Sequence, residues 1–200
     1  MRRKFVVVVV AGMLTGIAGS AAGCARNTSA GSPVTSLPVS VAPVGDWPAG
    51  VKEAEVYVEV LRRYLGTPAE NSFPARTLKT VYVLDQAHPD AGDPLGKHER
   101  GTPIARNTQQ QVTASLAAVA NVTFIDDGEA VIETRDGCPQ VKDGGILITL
   151  GTVNGDDQKV QVPITGFVAC LGATWLTYVV QNRPGTGWRV TGTTGPSAIS

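Results

Sequence analysis

Apolar residues follow three different rhythms along this chain. From Phe5 to Ala18 they form an almost unbroken run, interrupted only by Gly and one Thr. From Ala25 to Gly45 they are small, scattered among Ser, Thr, Pro and Gly, and repeat at neither the helix nor the strand period. From Val51 onward they become periodic. In Val51–Leu65 (VKEAEVYVEVLRRYL), Tyr57, Val60, Leu61 and Tyr64 fall on one helical face, with Lys52, Glu55, Glu59, Arg62 and Arg63 around the rest. Gly66 and Pro68 stop that helix. Thr80–Asp85 (TVYVLD) reads as a short buried strand, and the polar, Pro- and Gly-rich segment Gln86–Thr102 as a long loop. A second helix is predicted over Thr108–Val119, where Val112, Leu116 and Val119 share a face and Asn107 with Gln110 has capping-box spacing.

After Ala120 the rhythm changes to period two. The alternation predicts strands at Val122–Ile125, Ala130–Thr134, Ile146–Leu150, Lys159–Ala169, Trp175–Gln181 and Trp188–Thr193. Between them lie Asp127-Gly128, Asp136-Gly137, Asn154-Gly155 and Pro184-Gly185, the dipeptides of hairpin turns. Helices first and strands afterwards predict an α+β domain over residues 46–200: two helices packed on a curved antiparallel sheet of about five to six strands. The ending Leu176-Thr177-Tyr178-Val179-Val180, a turn, then Gly187-Trp188-Arg189-Val190-Thr191-Gly192 resembles the nuclear transport factor 2-like family. That resemblance implies a cone-shaped fold in which a bent sheet wraps around helices.

The first residues change the picture most. Met1-Arg2-Arg3-Lys4 is a basic start, the apolar run after it is shorter than the roughly 20 residues of a bilayer span, and small residues follow from Gly19 to Gly23. This is the layout of a secretory signal peptide over residues 1–23. Ala21-Ala22-Gly23-Cys24 resembles the lipobox of bacterial lipoproteins, with Ala21 where that family usually carries Leu. The resemblance implies cleavage before Cys24 and a diacylglycerol, with its palmitate-type chains, on the Cys24 thiol. Two acyl chains anchor stably where one does not. Residues 24–45 would then form a lipid-anchored, disordered linker with a reach of roughly 25 Å. The region after Cys24 is also similar to uncharacterised bacterial envelope lipoproteins, which implies a location on the outer face of the cell membrane and no activity.

Composition agrees with a folded, exported domain. Of 200 residues, 42% are apolar, enough for a core, and Lys plus Arg (17) equals Asp plus Glu (17), so no net charge points to nucleic acid. Removing Met1–Gly23 takes away Arg2, Arg3 and Lys4 and no acid, leaving a mildly acidic chain. Of the three cysteines, Cys138 and Cys170 remain once Cys24 is lipidated. Export favours their oxidation. If Ile146–Val153 and Lys159–Ala169 pair across Asn154-Gly155, continuing that ladder brings Cys138 close to Cys170, with Gly144-Gly145 able to shift the register. A bridge closing a loop of that size contributes about 3–4 kcal/mol by chain entropy.

Candidate chemistry is sparse. There is no G-x-S-x-G elbow, Walker loop, H-E-x-x-H motif or dinucleotide fingerprint, so no catalytic residue, metal site or cofactor is expected. Phe167, Trp175, Tyr178 and Trp188 are candidates for an apolar ligand pocket between helices and sheet. Asp126-Asp127 and Asp156-Asp157 fit turn chemistry. The expected function is a lipid-anchored, extracytoplasmic, non-catalytic domain binding a small ligand or an envelope protein. The alternative is an envelope enzyme of the metal-dependent hydrolase kind, using the Asp85–Glu99 loop with His88, His98, Asp90 and Asp93.

Overall fold

Alternating burial along each strand sorts the sheet into two faces, and the helices cover only one of them. A computed structural model describes residues 49–71, 73, 80–95 and 100–200. The segments expected to be a signal peptide and a linker, and Cys24 between them, lie outside the described residues. The elements are helix α1 (Ala49–Gly66), the one-turn helix α2 (Pro68–Asn71), strands β1 (Thr80–Leu84), β2 (Gln86–Ala87) and β3 (Thr102–Pro103), and helix α3 (Arg106–Leu116). Strands β4 (Asn121–Ile125), β5 (Ile132–Arg135), β6 (Cys138–Val141), β7 (Ile146–Leu150), β8 (Asn154–Gly155), β9 (Lys159–Phe167), β10 (Ala173–Arg183) and β11 (Gly187–Ile199) follow. The main sheet has seven strands in the order β11-β10-β9-β7-β1-β4, with β8 beside β9.

The fold is α+β, as the order of helical and strand rhythms implies, but the sheet is mixed. Strand β1 pairs parallel with both β4 and β7. The remaining partners of β9 and β10 are antiparallel. The expected all-antiparallel sheet is therefore corrected at its β4 side. The cause is α3, which runs between β1 and β4 and returns the chain to the end of the sheet where β1 began, so the two strands lie parallel. Strands β5 and β6 form a separate two-stranded ladder. Their turn is Asp136-Gly137, both at positive φ (53° and 77°), as Asp-Gly hairpin chemistry requires.

Other expectations shift locally. The helix expected to end at Gly66 is followed by a further turn, α2, which Pro68 starts rather than prevents, because a helix's first residue needs no N–H partner. Helix α3 begins at Arg106 and ends at Leu116, and its N-cap, Ala105, makes no side-chain cap, so the Asn107–Gln110 capping box does not form. Gln109 instead donates to the carbonyl of buried Ile104 (2.8 Å). Asn154-Gly155 is not the hairpin turn: it pairs with β9, and Asp156 makes the turn by accepting the Gln158 and Lys159 N–H groups (2.8 Å each).

The even positions of β9 and β10 (Val160, Val162, Ile164; Leu176, Tyr178, Val180) join Val81, Val83, Ile146, Ile148 and Leu150 in one buried cluster. Val56, Tyr57, Val60, Leu61 and Tyr64 of α1 and Val112 and Leu116 of α3 complete it. Polar tips inside this layer are all engaged. Tyr57 donates to the Gly151 carbonyl (3.0 Å), Tyr64 bonds the Thr174 hydroxyl, and Tyr178 donates to Glu70 (2.6 Å), which Arg63 also holds (3.1 Å). Gly166 faces Thr174 in register, and a Cβ there would strike the Tyr64 hydroxyl, so glycine is what lets Tyr64 reach the sheet. Among the described residues no helix is long and apolar enough to cross a membrane.

Cys138 and Cys170 form the disulfide, with Cα atoms 5.4 Å apart. Beside the cysteines the expected register holds, but along β7 and β9 it does not. Leu147 faces Phe167, while Gln140 faces Ala169. The tight turn at Lys142–Gly144, with Asp143 and Gly144 at positive φ, takes up the residues between the two registers.

Candidate functional site, a cleft on the open face of the sheet

The face away from the helices carries the odd positions of β9 and β10. Thr149 of β7, Thr165 of β9 and Trp175 of β10 lie side by side in one cross-strand row. Leu84, the last residue of β1, extends the row, since Val83 faces Ile148. The chain leaving β1 folds back over this row. The two-residue ladder of β2 with β3 closes the base of the excursion, and Ile104 N–H donates to the Asp85 carbonyl (2.8 Å).

The returning turn, His88 to Asp93, is fixed to the sheet. His88 N–H donates to the Leu150 carbonyl (2.8 Å), Ala91 N–H to the His88 carbonyl (3.1 Å) and Asp93 N–H to the Asp90 carbonyl (2.9 Å). The Thr165 hydroxyl donates to the Ala91 carbonyl. Gly92 makes the close approach possible: a Cβ there would lie 2.7 Å from the Thr177 hydroxyl and 3.0 Å from the Leu176 carbonyl. Between turn and sheet remains a cleft of about 190 Å³ lined by Leu84, His88, Asp90, Ala91, Asp93, Thr149, Thr165 and Trp175. It sits at the carboxyl ends of β1 and β7, where open sheets containing parallel strands commonly place ligands.

The four aromatics expected to form one pocket are divided between the faces. Tyr178 and Trp188 are core residues, 0% and 3% exposed. Trp175 lines the cleft, while Phe167 shares its face and pairs with Leu147 and Ala173 outside the lining. Trp188 is covered by Lys52, whose ammonium lies 5.4 Å from the ring centroid and pairs with Asp157 (2.9 Å). Of the polar loop, His88, Asp90 and Asp93 reach the cleft; His98 and Glu99 lie outside the described residues. Among the described residues no three His, Cys, Asp or Glu side chains are grouped to hold a metal ion.

Two other hollows differ in their electrostatics. A groove of about 230 Å³ between α1, α3 and the β10–β11 turn contains Glu59 and Arg189, but these pair with each other (3.1 Å), and Arg62 binds Glu59 as well (2.6 Å). A hollow of about 430 Å³ beside the β5–β6 hairpin contains the Glu133–Arg135 pair (3.0 Å) and Lys142, which donates to the Ala130 carbonyl (2.6 Å). The cleft's carboxylates are in no ion pair among the described residues. Sequence reasoning missed the roles of Gly92, Thr149 and Thr165; the Gly within Asp90-Ala-Gly-Asp93 was their only local sign. No protein-family model matches this chain, and neither a curated protein nor a solved structure matches it.

Proposed function

We propose that this chain is a lipid-anchored, extracytoplasmic domain that binds a small ligand, without transforming it, in the cleft between the His88–Asp93 turn and the sheet. The observation carrying the binding reading is that the turn is held by several hydrogen bonds yet leaves a polar-rimmed space beside an indole. Pockets for small molecules have this make-up, an apolar wall with few convergent polar groups. The export reading rests on Met1–Cys24 and draws support from the Cys138–Cys170 bridge, since such bonds persist in oxidising compartments.

Two measurements test the proposal. Cells grown with labelled palmitate are expected to yield a membrane-extracted chain whose intact mass begins at acylated Cys24. An unmodified full-length chain in the cytosol would overturn the anchoring. A screen of small polar molecules, read by Trp fluorescence, is expected to find saturable binding that Gly92→Val abolishes by lifting the turn. A screen with no saturable ligand would overturn the binding reading. The rival, an envelope hydrolase, is favoured by one observation, that His88, Asp90 and Asp93 share a wall. Hydrolysis of envelope substrates lost in His88→Ala would establish it instead.

A further inference from the structure

Resting on the cleft as binding site, we infer that its ligand is a small organic cation of the alkylammonium class. The argument is one of charge and surface type. Asp90 and Asp93 stand on the wall, neither in an ion pair among the described residues, and among the described residues no Lys or Arg lines the space, His88 being the other ionisable side chain there. In the groove beside α1, Glu59 is paired with Arg189, and in the hollow beside the β5–β6 hairpin Glu133 is paired with Arg135; neither cleft carboxylate has such a partner among the described residues. An anion entering it meets two carboxylates. A neutral guest without a donor covers them and removes water without replacing its hydrogen bonds, which is costly. An ammonium offsets one of the two charges, is attracted by both, and places its methylene or methyl groups on Trp175, the ring type that attracts cations best.

Size and donor set narrow the class. A space of about 190 Å³ is roughly six times the volume share of a water molecule, room for about six to eight heavy atoms. A divalent metal fits less well: the described side chains offer no group of three metal-binding residues, and an indole ring contributes nothing to a hard cation. The threonine hydroxyls suit a ligand that carries a hydroxyl beside its charge. Thr165 already donates to the Ala91 carbonyl, which leaves its oxygen as an acceptor.

The test is calorimetric titration of the full-length chain with tetramethylammonium, choline and ethanolamine, against 3,3-dimethylbutan-1-ol, choline's uncharged isostere. At least one cation is expected to bind about tenfold tighter than the isostere. Asp90→Asn with Asp93→Asn is expected to remove that advantage. These substitutions keep the Oδ1 acceptor that Asp93 offers to Leu95 N–H (2.8 Å), so the turn survives. Trp175→Phe, which retains a ring, is a second variant expected to weaken cation binding severalfold. Equal affinity for charged and uncharged probes, or indifference to the double substitution, would overturn the inference. So would displacement of the ammonium by calcium or manganese, or no binding by any of the three cations. A neutral or anionic hit in the wider screen would then still uphold the cleft as a site, so the two failures are distinguishable.

Discussion

The two faces of the central sheet are built from alternate residues of the same strands, yet they solve opposite problems. Beneath α1 and α3, Ile146, Ile148, Ile164 and Val180 are fully buried, and the tyrosine hydroxyls of that layer all have partners. On the other face Leu84, Thr149, Thr165 and Trp175 are each only half-buried, under a turn held mainly by backbone hydrogen bonds. Satisfied packing gives stability, while incompletely covered side chains leave surface for a guest. A single-residue step along β7 crosses from one regime to the other.

That step gives the largest test. Ile148→Ala removes a fully buried side chain and is expected to cost about 2–5 kcal/mol of unfolding free energy. Thr149→Ala, one residue further on and facing the cleft, is expected to cost less than about 1 kcal/mol while weakening ligand binding. Urea titration of both variants checks the contrast; equal losses would erase the distinction between the faces. Next in size is the Cys138–Cys170 bridge, which spans 32 positions and ties the β5–β6 hairpin to the β9–β10 connection, away from the cleft. Replacing both cysteines with alanine is expected to cost about 2–4 kcal/mol. Trp175 is expected to keep its fluorescence response to ligand, because β10 remains paired with β9 from Ala173 to Gln181.

How much of this was legible in the sequence depends on which interaction fixed each feature. The α1 face, the β7 core and the β9–β10–β11 meander follow from local periodicity, and they occur close to where the pattern puts them. Parallel pairing of β1 was not legible: TVYVL and NVTFI show which residues point inward but not which strand lies alongside. The register beside the disulfide was legible, but that of β7 with β9 was not, because Gly144-Gly145 marks a place where the register can shift without saying by how many residues. The division of the aromatics was half-legible. Trp175 and Tyr178 are an odd number of positions apart on one strand and must face opposite ways. Placing Phe167 and Trp188 needs the registers of β9 and β11. The cleft itself depends on Gly92 meeting Thr177, a contact between distant segments that no local pattern records.

The smallest effect concerns the polar end of the covered face, where α2 meets β10. Burial alone would raise the Glu70 pKa, but hydrogen bonds from Arg63 and Tyr178 outweigh it and hold it below the ordinary value of 4.5. Because the folded-state pKa is the lower one, the stabilisation is present above pH 4.5 and is lost as pH falls through the folded-state value. The tyrosines behave in the mirror sense. Burial pushes Tyr64 up from 10.0 to about 12, so its contribution is complete below pH 10 and is lost as pH climbs toward about 12. Glu70→Gln is therefore expected to flatten the acid side of a plot of urea midpoint against pH. Tyr178→Phe, which removes one donor to Glu70 but keeps Arg63, is expected to flatten the acid side only partly, with a loss at neutral pH of about 0.5–1.5 kcal/mol. An acid-side slope unchanged in Glu70→Gln would remove the charge-dependent stability from this end of the covered face.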